Sequence, residues 1–382
     1  MSENQPSDWP TWLVAENDSI KSSDRWRSPR SFDANGPVGI LDGQTVVSFA
    51  SNDYLGLTSH PAVKAAAQDA IDRWGTGSGA SRLVVGSRPI HHNLEKSLAR
   101  WRGTESAVLF PTGFAANLGL LATLGGRGVV IHSDELNHAS IIDGCRMARS
   151  NGAEVLTYPH FDLETLAANM ESHSDARQVV VTDSVFSMDG DVAPNTRLAA
   201  LCARYSALLI LDEAHAVLEP IPPPQLSGTT IVQVGTLSKT LGALGGFVAG
   251  PTALVDLLVN RARTYIFTTA PSPGDSAAAQ AAIEILQSGE GAALRARLRS
   301  SVGRIRPNHP SPIIPIVLGD EAAALRASQQ LLERGLLVPA IRPPTVPVGS
   351  SRLRVALSAA HTDEQIEALL DALNTLETDG GR

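Results

Sequence analysis

The sequence predicts an α/β fold: a mostly parallel sheet covered by helices on both faces, followed by a smaller α+β domain. Three observations predict it. Short, continuous apolar runs alternate with helical patterns through the first two-thirds of the chain. Those runs lack the in–out alternation of a half-solvated sheet, as strands buried on both faces do. After about Pro271 the texture changes to helices rich in Ala, Leu and Arg, separated by short strands.

The elements follow in order. The first 50 residues, rich in Ser, Pro and Gly, read as an N-terminal arm (1–50) that packs on both domains. A large domain (51–270) opens with "PAVKAAAQDAIDRW" and "NLEKSLARW", amphipathic helices that place Lys64 and Lys96 on solvated faces. Strand-like "SAVLF" (106–110) precedes a helix from Phe114 to Leu124, and "GVVIHS" (128–133) precedes one from Ala139 to Ser150. "AEVLTY", "QVVVTDS", "ALLILDEA", "TTIVQVGT" and "GGFVAG" continue the strand series. The small C-terminal domain (271–382) holds helices near 276–287, 291–304 and 320–334, strand-like "IIPIVLG", "LLVPAI" and "RLRVALS", and a last helix. That helix opens at Thr362, with Gln365 three residues on, as in a capping box.

At 382 residues the chain is long enough for a large domain and a smaller one. The net charge of −8 argues against a nucleic-acid or anionic-membrane partner. The two cysteines, Cys145 and Cys202, cannot build a disulfide framework and have no zinc spacing, so no metal site is expected and both read as buried thiols in a reducing compartment. No basic segment followed by an apolar run opens the chain, and no stretch approaches the roughly 20 apolar residues of a membrane span. These observations set the expectation of a cytoplasmic enzyme.

Several motifs are excluded by spacing. "GTGSGAS" (75–81) lacks GxGxxG spacing and follows a helix pattern, not a strand. "VGTLSKT" has no glycine before its lysine, so it is no P-loop. Neither GxSxG nor HExxH is present.

What remains is "LLILDEAHA" (208–216), a buried strand that delivers Asp212 at its carboxyl end with His215 three residues later. Alone, the pair fits a helix cap and a surface histidine equally well. Lys239 changes the balance. The chain has four lysines among 31 basic residues, and this one sits in "GTLSKTLGALGG" among small neighbours. A carboxylate and a lysine at adjacent strand ends suit pyridoxal phosphate: the amine forms a Schiff base with the aldehyde, and the carboxylate keeps the ring nitrogen protonated. Arginine does not give up its proton and cannot do this. A phosphate cradle is also at hand. "PTGFAAN" (111–117) opens a helix directly after a strand, so the amides of Gly113 and Phe114 face an anion, and Thr236 adds a hydroxyl. Thr112 alone would be an ordinary helix N-cap.

Taken together, "SFASNDYLGLTSHP", "GTGSGASRLVVGSRPIHHNLE", "PTGFAAN", "ELNHASIIDG", "DSVFSMDGDVAP", "DEAHA", "TLSKTLGALGG" and "RPPTVPVGSSRLRVALSAAH" resemble the α-oxoamine synthases, over nearly the whole chain and in the right order. The resemblance implies the aspartate-aminotransferase fold (fold type I), with a mostly parallel seven-stranded sheet in the large domain. "SNDYLGL" with "GSGASRLVVG" is most similar to the branch that joins L-alanine to a pimeloyl thioester, with loss of carbon dioxide, in biotin biosynthesis.

The resemblance also implies roles. Lys239 would be the Schiff-base lysine and proton carrier, with its pKa depressed by burial and by the ring cation. Asp212 would pair with the ring nitrogen, and His215 and Ser187 with the phenolic oxygen. His138 would stack on the ring and position the substrate. Gly113, Phe114 and Thr236 would hold the phosphate, with Thr268 and Thr269 reaching it from the neighbouring subunit of a homodimer. Arg354 would bind the amino-acid carboxylate through its guanidinium fork. Asn52 and Arg25 would lie near the substrates, and Thr345 near the acyl end. The acyl carrier would be coenzyme A or an acyl carrier protein.

The sequence departs from the family after the DEAH-type motif, where "AVLEPIPPPQLSG" replaces a glycine-rich loop and the path from His215 to Lys239 is short. The loop at 219–228 therefore bears on the acyl-thioester side of the site. Thr112 stands where serine is common. Two alternatives stay open: a sibling using glycine or serine or another acyl thioester, and a non-catalytic partner subunit, which would be expected to lose the lysine or the aspartate.

Overall fold

The computed structural model describes residues 8–376, apart from 24, 221, 224 and 227. Seven strands build the main sheet: β1 (Ser106–Phe110), β2 (Val129–Asp134), β3 (Glu154–Tyr158), β4 (Arg177–Asp183), β5 (Leu208–Asp212), β6 (Thr229–Thr236) and β7 (Gly246–Gly250). Their order is β1-β7-β6-β5-β4-β2-β3, and a two-residue strand, Gln225–Leu226, pairs with β6 off this path. β7 alone runs opposite to the other six, antiparallel to both β6 and β1. The expected mostly parallel sheet is therefore present, and its strand positions match the apolar runs to within a residue or two.

Burial explains why those runs do not alternate. Every residue of β2 and β7 is buried, as is most of β4, β5 and β6. Helices Gly113–Leu124, Ala139–Ser150 and Thr252–Arg261 join one face in a cluster around Phe110, Leu121, Ile131, Ile210 and Val248. Other strand side chains, such as Val180, Leu209 and Leu211, pack with helices Leu163–Ser172 and Asn195–Arg204. Both cysteines are buried, and Lys64 and Lys96 are exposed on their helices.

The remaining elements form two smaller sheets. Ile313–Gly319, Ser351–Ala356 and Ala340–Ile341 make an antiparallel three-stranded sheet. Phe32–Ala34, Val38–Leu41 and Gln44–Ser48 make an antiparallel ribbon, closed by Leu336–Leu337 running parallel to the last of them. Residues near the N-terminus thus join residues near the C-terminus. Helix Trp9–Ser22 buries none of its residues. The capping box at the last helix is formed: Gln365 N–H donates to the Thr362 hydroxyl (3.3 Å) and Thr362 N–H to the Gln365 carboxamide (3.0 Å). Among the described residues, no helix is long and apolar enough to cross a membrane.

Candidate active site

The carboxyl ends of the parallel strands, where open α/β sheets hold ligands, carry Asp212 at the end of β5 and His138 and Lys239 just past β2 and β6. Register sets the spacing. Asp183, ending β4, lies opposite Asp212, ending β5, and Asp212 lies opposite Val234 of β6. Two residues beyond Val234, β6 ends at Thr236, and the turn that follows carries Lys239. His138 follows β2 and caps helix Ala139–Ser150, its ring accepting from Ser140 N–H.

A turn at Gly242 docks Lys239 against the "SNDYLGL" segment. Gly242 has φ +64°, and a Cβ there would stand 2.7 Å from Thr58 N. No side chain fits that approach, so the glycine keeps the lysine turn in contact with Leu57 and Thr58.

Lys239 Nζ lies 2.8 Å from His215 Nε2, and His215 Nδ1 lies 2.5 Å from the Tyr54 hydroxyl. Tyr54 donates to Asn52 Oδ1 (3.1 Å), and Arg354 Nη2 donates to the same oxygen (3.1 Å). Arg354 Nε also donates to the Ser187 carbonyl. A second cluster adjoins this one. Asp212 accepts from Asn117 Nδ2 (2.6 Å) and from Ala214 N–H (3.0 Å). Asn117 donates also to Ser140 Oγ (2.9 Å), which lies 2.7 Å from His138 Nδ1. Asp183 accepts from His138 N–H (2.8 Å).

These contacts set the charges. Desolvation lowers the Lys239 pKa, Asp212 and Asp183 oppose it, and Arg354 adds to it. Desolvation also holds His215 well below its usual value, reinforced by Lys239, Arg354 and His138, so its ring is neutral. The Asp183 carboxyl is pushed well up, by desolvation and then by the charge of Asp212. Asp212 is buried and accepts two hydrogen bonds.

The phosphate cradle is equally specific. Thr112 caps helix Gly113–Leu124 by accepting from Ala115 N–H (3.0 Å). Helix geometry leaves the amides of Gly113 and Phe114 without intrahelical partners. A Cβ on Gly113 would stand 3.2 Å from Thr236 Cβ, and one on Gly246 would stand 2.5 Å from Gly113 N. Two glycines thus bring the helix N-terminus against the Thr236 hydroxyl. A buried carboxylate, a lysine of lowered pKa and an amide-lined anion cradle fit pyridoxal phosphate. The orphaned Oδ1 of buried Asn117 shows that this pocket has polar capacity left to satisfy.

A model of the class I and II aminotransferases matches residues 44–373. The curated 8-amino-7-oxononanoate synthase of Anaeromyxobacter dehalogenans is 47% identical over 378 residues, covering 95% of this chain and 94% of that protein. The solved Sphingomonas wittichii serine palmitoyltransferase superposes with a TM-score of 0.87 at 32% identity, covering 95% and 96% of the two chains. A serine palmitoyltransferase variant from S. paucimobilis, solved with bound PLP–myriocin aldimine, superposes at 0.86 with 30% identity, covering 94% and 95%. The chain belongs to the α-oxoamine synthases. It is a pyridoxal phosphate-dependent enzyme of fold type I.

Thr345 is exposed and lines a cavity of about 400 Å³ with Leu136, His160, Phe186, Asp189 and Arg352. Ser187 is half-buried on the same wall. Beside the proline-rich loop a second cavity, of about 510 Å³, is lined by Ala214, Ala216, Glu219, Pro220, Thr236 and Arg102. Thr268 is half-buried and Thr269 exposed. Their segment is tied to the glycine-rich stretch, where Ser78 Oγ donates to the Pro271 carbonyl (2.6 Å) and Ala270 N–H to the Ala80 carbonyl (2.9 Å). Arg25 is exposed just past helix Trp9–Ser22 and takes no part in the contacts described for the cluster. Of the loop at 219–228, positions 221, 224 and 227 lie outside the described residues.

Sequence reasoning missed Tyr54, Asn117, Ser140 and Asp183. All four lie inside or beside the motifs quoted above, but only the fold gives them partners.

His160 introduces a pH dependence. Burial lowers its pKa, but Asp134 (3.0 Å) and Asp191 (2.8 Å) raise it further, to about 9. A raised folded-state pKa stabilises fully below the unfolded value near 6.5, and that stability is lost as pH climbs through 9. After allowance for solvent screening the effect is about 1–2 kcal/mol. His160→Gln is expected to destabilise most below pH 6.5, and its deficit should shrink by pH 9.5. Urea melts at both pH values check this; a constant deficit would contradict it.

Proposed function

We propose that this chain condenses L-alanine with a pimeloyl thioester, releasing carbon dioxide and 8-amino-7-oxononanoate, in biotin biosynthesis. The reading rests on one conjunction: the Lys239 amine and the Arg354 guanidinium lie on one hydrogen-bond chain, with the Asp212 charge acting on the lysine, in a chain 47% identical to a synthase of that name. Pyridoxal phosphate supplies an electron sink for the amino-acid Cα. Arg354 and Asn52 hold the amino-acid carboxylate, the geometry a guanidinium fork suits. Lys239 removes and returns the Cα proton, which its lowered pKa favours at neutral pH. When the cofactor is bound, Asp212 would support the ring nitrogen, His215 and Ser187 the phenolic oxygen, and His138 would stack on the ring. Gly113, Phe114 and Thr236 hold the phosphate. Arg25 lies near the substrates once they are bound.

We also read the enzyme as a cytoplasmic homodimer, with domain boundaries near 50 and 270. The turn Arg82–Gly86 exposes Leu83 (54%), Val84 (73%) and Val85 (70%), and the segment carrying Thr268 and Thr269 exposes Phe267 (70%). A second copy covering these apolar side chains would bring Thr268 and Thr269 to its phosphate cradle. Thr345 and its cavity take the acyl side, delivered on coenzyme A or an acyl carrier protein.

The fold likeness to serine palmitoyltransferases favours a second reading, a sibling using serine or glycine or another acyl thioester. A non-catalytic partner subunit would have no need of the lysine–aspartate–arginine set. The deciding experiment gives the loaded protein pimeloyl-coenzyme A or pimeloyl acyl carrier protein with alanine, glycine or serine, and weighs the products. A decarboxylated product from alanine is expected. Product from serine or glycine alone would transfer the assignment to the sibling.

A further inference from the structure

One polarity places a hydrogen in every contact of the chain from Arg354 to Lys239. A guanidinium has no acceptor, so Arg354 must donate to Asn52, which fixes Oδ1 as the atom at their 3.1 Å contact. Tyr54 reaches the same oxygen at 3.1 Å, and that contact is a hydrogen bond only if the phenol gives its single proton there. Its oxygen then has only lone pairs to offer His215 Nδ1, 2.5 Å away. The neutral His215 ring therefore carries its proton on Nδ1, and the Nε2 lone pair faces Lys239 Nζ at 2.8 Å.

Tyr54 is well held for this task. Its side chain is fully buried, its backbone N–H donates to the Asn52 carbonyl (2.9 Å), and its own carbonyl accepts from Ala359 N–H (2.8 Å). Burial raises the phenol's pKa against the opposing charge of Arg354, so the proton stays on the oxygen. The charged or titratable groups facing His215 and Lys239 are Asp212, Asp183, Arg354 and His138. None of these is the hydrogen-bond partner of His215 Nδ1, a place taken by the Tyr54 hydroxyl.

We propose that Tyr54 is a positioning residue for the reaction: its hydroxyl fixes the tautomer of His215 and so keeps a lone pair aimed at the Lys239 amine. This deepens the proposed function, because it rests on Lys239 being the reactive amine.

The test is Tyr54→Phe, which keeps the buried ring and removes only the oxygen. In the full-length protein labelled with ¹⁵N-histidine, before loading with pyridoxal phosphate, His215 should be protonated on Nδ1 between pH 6 and 9. Its signals are assigned by their loss in His215→Gln. In Tyr54→Phe the proton should move, wholly or in part, to Nε2, while the other nine histidines keep their signals and report an intact fold. In the loaded enzyme kcat should fall about tenfold, with KM for the amino acid changed less than threefold. An Nε2-protonated His215 in the unmodified protein, or an unchanged tautomer in Tyr54→Phe, would overturn the proposal. A wrong amino acid or acyl assignment would show in the products and leave the tautomer result standing.

Discussion

Lys239→Ala should cost turnover at least about 10⁴-fold, because in the proposed reaction one side chain serves as both nucleophile and proton carrier. The expected result has two readouts. No product should accumulate above the rate without enzyme, and borohydride reduction of the loaded variant should leave no cofactor mass on the chain. The unmodified protein should carry that mass on the peptide containing Lys239. Folding should survive, since the lysine is only half-buried and its amine has His215 as its partner. Turnover at the unmodified rate would remove Lys239 from the chemistry.

Asp212→Asn should lower kcat by roughly 10³-fold, the scale on which a buried, preorganised charge acts on a developing transition state. Shape is kept, but asparagine has one oxygen for the two donors, Asn117 Nδ2 and Ala214 N–H, that the carboxylate now satisfies. The charge also opposes the lowering of the Lys239 pKa. Without it that pKa falls further, so the acid limb of the kcat–pH profile should move to lower pH. A variant within threefold of the unmodified kcat would mean that Asp212 does not support the ring nitrogen.

How much of this was legible in sequence depended on how local the cause is. The seven strands were readable because a strand buried on both faces must be apolar at every position, and "LLILD" and "TIVQV" are nearly so. Asp212 and Lys239 were readable because an acid ending such a run and a lysine among small residues each break a strong pattern. Tyr54 broke none. A tyrosine after Asn-Asp looks like any turn residue, and its partner His215 lies 161 positions away. Asp183 likewise gains its raised pKa only from the register that sets it beside Asp212. The reach of Thr268 and Thr269 belongs to a pair of chains, which a single chain does not contain.

The contact between Arg354 and Asn52 spans 302 positions. A ribosome delivers Asn52, Asp212 and Lys239 long before Arg354 emerges. The cleft that would hold the amino acid therefore cannot close while the chain is still growing, whatever the early-made sheet has already folded. A chain cut short before Arg354 would keep the lysine and the proposed phosphate cradle yet lack the guanidinium proposed to anchor the carboxylate. On the proposed reading, synthesis order thus makes the amino-acid anchor the last part of a single chain's site to be made.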